Sequence, residues 1–327
     1  MLMPPKYILT STISQHLQKI EAARSIVEMI QVPLEVETNI RRQTTLKSSL
    51  YSARIEGNPL ILDDLPHRSS RDQKKREVFN ILRASEFIHN RGSRNITLNT
   101  ILQLHQKIMD GLIDKAELGV LRKDPSAIFN SAGIAIYLPP LPSGVEPLIV
   151  RLIKFVNGES EQFVPIRAVL VNYIFEKIHP FLDGNGRVGR ILLQAVLVKG
   201  GFGMKGLLNI EEYLDKNRSG YYSVLMEPEK DVTDYVEFML GAMAHTADSA
   251  RELILSKQTV QTEDYLLPRR AEIYRIIKEQ KLINFDSIRR RFLRVNERTL
   301  RYDLKKLADG GLIRKRGTTK GVYYEAV

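Results

Sequence analysis

The chain has 327 residues, 43% of them hydrophobic and 27% charged, enough to bury a main core and one smaller companion. It has no cysteine, which excludes disulfides, thiolate nucleophiles and cysteine-zinc sites, and its six histidines never fall at the short spacings that put two on one metal. The formal charge of +11 is concentrated at one end: residues 266–327 hold 17 Lys and Arg against 7 Asp and Glu, whereas residues 1–265 hold 32 against 31.

In chain order, the opening "MLMPPKYILTSTISQ" has paired prolines where a secretion signal needs an apolar run. The longest apolar stretch, "ILLQAVLV" at 191–198, is far too short to span a bilayer, so a cytoplasmic protein is expected. A helix is predicted from about Gln43 to Gly57-Asn58-Pro59, and the basic run "HRSSRDQKKR" at 67–76 is the solvated start of another. Apolar residues at three and four spacing predict helices over 99–113, 145–158, 165–178 and 232–255. Between them "AIFNSAGIAIYLPP", 127–140, predicts a lone hairpin turning at Asn130-Ser131-Ala132-Gly133. No alternation of strand and helix builds a parallel sheet, so the fold class is mainly α. The polar stretch 256–265 is a linker, and residues 266–327 follow as a basic tail domain.

The chemistry centres on "HPFLDGNGRVGR", His179 to Arg190. Its Gly184-Asn185-Gly186-Arg187-Val188-Gly189 fits G-x-G-x-x-G, but a dinucleotide fingerprint must follow a strand, and the residues before His179 are helical. A P-loop fails because no Lys-Ser/Thr pair closes the loop. What remains is helix, turn, helix, the second helix beginning near Arg187. Gly184 and Gly186 are free to take positive φ, so that backbone N–H groups converge on an anion at the second helix's N-terminus. Arg187 and Arg190 share a face of that helix and can flank a polyphosphate. His179 supplies a base that is neutral near pH 7, and Asp183 one carboxylate of the kind a mostly hydrated Mg²⁺ requires.

These twelve residues resemble the signature of the Fic/Doc family, H-P-F-x-[D/E]-G-N-G-R-x-x-R, at every specified position. The resemblance extends to "LGVLRKDPSAIFNSAGIAIYLPP" at 118–140, similar to the family's hairpin flap, and to "LDKNRSGYYSVL" at 214–225, similar to the tyrosine-bearing stretch beside the nucleotide. It implies a Fic-type helical bundle with a β-hairpin flap and an N-terminal helical region over 1–95, followed by a catalytic domain over 96–255. It also implies a protein adenylyltransferase that moves AMP from Mg-ATP to a Ser, Thr or Tyr hydroxyl of a target protein or of itself. His179 would be the base and Asp183 the Mg²⁺ ligand. Gly184, Asn185 and Gly186 would bind phosphate oxygens, with Arg187 and Arg190 on the β- and γ-phosphates. Tyr221 and Tyr222 would touch adenine, core packing being the alternative. "SARIEG", Ser52 to Gly57, resembles the family's inhibitory motif [S/T]-x-x-x-E-[G/N], which implies that Glu56 on the 43–57 helix reaches Arg190; a plain helix end is the bland alternative.

The tail reads as three short helices, the last capped by Asn296 and stopped at Gly310-Gly311, then two strands, "LIRKR" and "VYYEA". That order resembles a winged helix-turn-helix, a small α+β domain. Leu300, Leu304 and Leu307 form its core stripe. Arg298, Arg301, Tyr302 and Lys305 form a second stripe suited to a major groove, and the wing residues Arg314, Lys315, Arg316 and Lys320 suit phosphates. Duplex DNA is the partner this implies, with protein docking or a homodimer as alternatives. Two functions are therefore open: an autoinhibited adenylyltransferase, or a DNA-binding transcriptional regulator whose body senses nucleotide. An intact His179 favours the enzyme, because a sensor needs no base.

Overall fold

A run such as "VPIRAVLVNYIFEKI" is apolar all round, and a helix of that kind is stable only when other helices cover it. In the computed structural model, which describes residues 4–65, 71–129, 135–226, 230–257, 262–317 and 322–327, this run is helix α6 (Val164–Ile178) at the centre of a helical bundle. Before it come α1 (Ser11–Met29), α2 (Leu34–Ile55), α3 (Gln73–Arg91), α4 (Leu98–Met109) and α5 (Pro142–Asn157). After it come α7 (Asn185–Lys199), α8 (Ile210–Lys216), α9 (Arg218–Met226) and α10 (Thr233–Leu255). Start signals in the sequence set several of these boundaries: Thr10 and Asp72 cap α1 and α3, a Thr97/Thr100 capping box opens α4, and proline occupies the first turn of α5 and α6.

The α6–α7 contact is close because Gly189 has no side chain. A Cβ there would stand 2.9 Å from Asn172 Nδ2 and 3.0 Å from Glu176 Oε1. Asn172, wholly buried, accepts the Tyr235 hydroxyl at 2.7 Å, so a polar pin holds α10 to α6. Two short strands, β1 (Ile128–Phe129) and β2 (Ala135–Tyr137), pair antiparallel; the turn predicted at 130–133 lies outside the described residues.

The chain divides into two units at Ile254/Leu255. The second unit also takes in Gln31–Ile40 and the stretch from Asp63. Asn39 Nδ2 donates to the Asp264 carbonyl at 3.2 Å, and Arg294 approaches Asp64 at 3.7 Å. Helix α2 begins at Leu34, well before the predicted Gln43, because "ETNIRRQTT" is too polar to show its apolar face, Val36 and Ile40. The second unit holds α11 (Pro268–Gln280), β3 (Ile283–Asn284), α12 (Phe285–Arg291), α13 (Glu297–Asp309), β4 (Ile313–Arg316) and β5 (Tyr323–Ala326). Its sheet has the order β3-β5-β4, antiparallel throughout. Ile273, Ile277, Ile288, Leu300, Leu304 and Leu307 fill its core, and buried Asp303 takes both Arg269 and Arg270. The two-residue β3 is not among the predicted elements; it is too short to leave a pattern. Among the described residues no helix is long and apolar enough to cross a membrane.

Candidate active site

Helix α6 stops at His179 because Pro180 cannot continue it, and His179 turns left-handed, with φ 49° and ψ 61°. A non-glycine residue holds such a conformation only when its surroundings impose it. Arg122, 3% exposed, does so: its Nε donates to the His179 carbonyl at 2.8 Å and its backbone N–H to the Pro180 carbonyl at 2.9 Å. The rest of its guanidinium ties Asp124 at 3.0 Å and Pro140 at 2.5 Å to the same corner. His179 Nδ1 is buried without a hydrogen-bond partner. Burial lowers the pKa of the ring below 6.5, and Glu56 and Asp183 are close enough to pull it the other way.

The turn itself is locked from inside. Asn185 Oδ1 accepts the Phe181 N–H and its Nδ2 donates to the Phe181 carbonyl, both at 2.9 Å, so its side chain is committed and only its N–H is left for a ligand. Phe181 is fully buried and stacks on His105 at 3.8 Å. His105 Nδ1 accepts the Gly119 N–H at 2.9 Å, which places its proton on Nε2, and Nε2 donates to the Asp183 carbonyl at 3.1 Å. Burial pushes His105 down to about 4, so it stays neutral and holds this bond across the physiological range.

Gly184 caps α7 at φ +84°, and a Cβ there would stand 2.7 Å from Met109 Sδ. Gly184→Ala is expected to lower unfolding free energy by about 2 kcal/mol, from the left-handed penalty together with a displaced Met109. Urea titration checks this, and coincident midpoints would show that the turn tolerates a side chain.

Gly186 differs from expectation. Its φ is not positive; it lies inside the first turn of α7, and what it contributes is space. A Cβ there would fall 2.3 Å from Glu56 Oε1. The Glu56 carboxylate therefore rests on the N-terminal turn of α7, where the helix dipole favours negative charge. Glu56 Oε1 also accepts Arg190 Nη2 at 2.8 Å. Arg190, 3% exposed, gives its Nε to Ser52 Oγ at 2.9 Å and its Nη2 to the Ser52 carbonyl at 3.0 Å. Burial alone would lower the Arg190 pKa, but the Glu56 carboxylate overrides it and holds the guanidinium charged.

Arg187 is equally engaged, by Glu77 Oε1 and Asp183 Oδ1, each at 2.6 Å. Asn58 in turn donates to Glu77 Oε2 at 2.9 Å. The sequence gives no sign of Glu77, Arg122 or His105 as members of the site. Each meets its partner across a long stretch of chain, and spacing carries no trace of such contacts.

The two tyrosines separate. Tyr221 is 1% exposed, its hydroxyl reaching toward Asn172 at 3.5 Å, and packs in the core, the alternative to a contact with adenine. Tyr222 is 37% exposed, with its hydroxyl on the Ile55 carbonyl at 3.4 Å at the end of α2. Among the described residues no three His, Asp or Glu cluster as a metal site. The Asp183 side chain is 59% exposed and uses Oδ1 for Arg187 and the Gly184 N–H. One accessible carboxylate of this kind fits a largely hydrated Mg²⁺ shared with phosphates.

In the second unit Arg298, Arg301, Tyr302 and Lys305 all lie on the exposed side of α13. Arg301 is paired with Glu297 at 2.7 Å and lies over the Phe285 ring at 4.0 Å. Arg314, Lys315 and Arg316 are exposed on β4, with Arg316 on Glu325 at 2.7 Å. Lys320 lies outside the described residues.

Residues 95–197 match the model of the Fic/DOC family. The chain is 25% identical over 254 residues to the protein adenylyltransferase Fic of Drosophila ananassae and 26% identical over 254 residues to that of Drosophila melanogaster. Each alignment takes in 74% of this chain but 48% and 49% of those proteins, so the chain spans about half the length of the curated relatives it matches. A solved Fic family protein from Desulfovibrio desulfuricans G20 is similar over 99% of this chain and 98% of its own, with a TM-score of 0.67 at 23% identity. Fic-1 (residues 134–508) from C. elegans is similar over 76% and 74%, with a TM-score of 0.59 at 21% identity. The fold is that of Fic proteins.

Proposed function

We propose that the chain is a protein adenylyltransferase held in check by Glu56. One observation carries this: the Glu56 carboxylate lies on the first turn of α7 and pairs with Arg190, within electrostatic reach of a buried imidazole at His179. His179 takes the proton of a target hydroxyl, whose oxygen bonds to the α-phosphorus of ATP while pyrophosphate leaves. Its lowered pKa keeps the ring neutral and ready for that proton. The N–H groups at the start of α7 receive phosphate oxygens, and Arg187 and Arg190 receive the β- and γ-phosphates once their carboxylate partners give way. Asp183 would hold Mg²⁺, which when bound supplies charge neutralisation at the phosphates. Tyr222, the accessible member of the tyrosine pair, would meet the adenine base. Incubation of the Glu56→Gly chain with ATP labelled at the α-phosphate tests the proposal. Label on protein from α-labelled but not γ-labelled ATP supports AMP transfer, and the reverse pattern identifies phosphate transfer instead.

For the second unit we propose a winged helix that binds duplex DNA, favoured by the exposed Arg298, Tyr302 and Lys305 on α13. The full chain is expected to bind a fluorescent duplex at low salt, with affinity falling steeply as salt rises. Arg298→Glu with Lys305→Glu should weaken that binding by on the order of tenfold or more. No binding near 50 mM salt, roughly where phosphate contacts are still strong, would return the domain to protein docking.

A further inference from the structure

Ser48 and Ser52 on α2 and Glu56 just past its end follow one another at four-residue steps, and Arg190 and Gln194 do the same on α7. One turn beyond the Glu56–Arg190 pair, the same helix faces border a cavity of about 240 Å³ lined wholly by the first unit. Its floor is a closed hydrogen-bond ring. Ser85 donates to Gln194 Oε1 at 3.0 Å, Gln194 Nε2 to Glu211 Oε1 at 2.8 Å, and Ser48 to Glu211 Oε2 at 2.7 Å. Gln194 Nε2 also reaches Ser48 Oγ at 3.4 Å. The walls carry Arg41, Arg42 and His89 against one wall carboxylate, Glu86, while the Glu211 carboxylate beneath is tied up in the ring.

The rim is strained. Met204 and Lys205, neither of them glycine, take left-handed φ of 43° and 54°, followed by Gly206 at +76°. Each such non-glycine residue costs about 1–2 kcal/mol, and strain of this kind collects at ligand sites. The turn is shaped around Arg41: a Cβ on Gly206 would stand 3.0 Å from Arg41 Cγ and Cδ. Lys205 is held by the Ile30 carbonyl at 2.7 Å.

We infer that this cavity is a second ligand site, for a small hydroxylated anion such as a phosphorylated polyol, and that its occupant biases α2 and so the Glu56–Arg190 contact. The cavity is far larger than a water needs yet below the range that holds drug-sized ligands, which limits the occupant to a small molecule. Two arginines at the wall match a planar or tetrahedral oxyanion, and the hydroxyls and amides around it match an alcohol. The coupling route is short, because Ser48 and Gln194 each lie one helical turn from the residues that clamp Glu56 and Arg190.

The binding half stands without the proposed activity; the coupling half rests on it. Calorimetric titration of the full chain with ribose 5-phosphate, citrate, inorganic phosphate and uncharged ribose tests the first. Saturable binding of ribose 5-phosphate and none of ribose is expected, and Arg41→Glu with Arg42→Glu should weaken it about tenfold or more. Arg42→Glu alone, at an exposed position, serves where the double variant fails to fold. Citrate binding in preference supports the site with a polycarboxylate as its occupant. No binding by any of the three anions, or binding indifferent to the arginines, overturns it. For the coupling, saturating anion should change AMP transfer by the parent and leave the Glu56→Gly chain unaffected. Binding with no change in the parent overturns the coupling alone. Absence of transfer in both chains, with and without anion, overturns the proposed activity and leaves the binding result intact, and an anion effect that is the same in both chains overturns the coupling.

Discussion

Glu56→Gly is expected to raise AMP transfer by on the order of 10²-fold, the scale at which a misplaced reacting group costs rate. In the parent, Arg190 is committed to Glu56 and Ser52, and the carboxylate covers the start of α7; on the proposed reading a γ-phosphate would be denied its counter-charge and the α-phosphate held out of line. Removing the carboxylate frees the guanidinium without touching His179. Glu56 lies just past the end of α2, so glycine there costs little helix. The price of the change is a buried Arg190 deprived of its carboxylate, which destabilises the nucleotide-free protein. Thermal melts should therefore show a lower midpoint for Glu56→Gly and a larger upward shift with Mg-ATP than in the parent. Equal labelling by the two proteins, both folded and both binding ATP, would end the inhibitory role of Glu56.

His179→Asn should abolish transfer by about 10²- to 10⁴-fold while leaving ATP affinity nearly unchanged, because it removes a general base and spares the phosphate contacts. Asparagine is the choice over alanine because it tolerates the left-handed conformation that Arg122 imposes at this position. The pH profile offers a second check. A base must be neutral to work, and burial lowers the pKa of His179, so its proton leaves at lower pH than in solution. Transfer by the Glu56→Gly chain should hold steady as pH falls to 6.5 and decline only below it. A half-point above 6.5, or a His179→Asn chain that labels as well as its parent, would assign the proton to another group.

Local signals in the sequence made much of this legible. Pro180 ends α6, Asn296 caps α13 through a 2.8 Å bond to the Arg298 N–H, and Gly310-Gly311 ends it. The spacing of Ser52 and Glu56 places both on the α2 face that meets Arg190. What escaped has a common physical cause. Glu77 meets Arg187 across 110 residues and Arg122 meets His179 across 57, and no periodicity encodes a long-range contact. Glycine at 186 points in the sequence to freedom of φ, yet the demand on it is volume, set by the carboxylate of Glu56 just past the end of α2. Tyr221 and Tyr222 are adjacent letters, and only packing decides that one is core and the other accessible.

Residue 189 is a free choice in the written signature, but in this chain it is bound to two others. The ideal Cβ positions leave no room between Gly189, Asn172 and Glu176. Of these, Asn172 also receives the Tyr235 hydroxyl, and Glu176 is buried with its carboxyl pushed up to about 7 by the loss of solvent. A lineage descending from this sequence could gain even a methyl group at 189 only by shortening 172 or 176 in step. Otherwise α6, which ends at His179, and α7, which opens at Asn185, would be prised apart. Positions 172, 176 and 189 should therefore drift together, as a trio of paired substitutions, while the motif letters around them stay fixed.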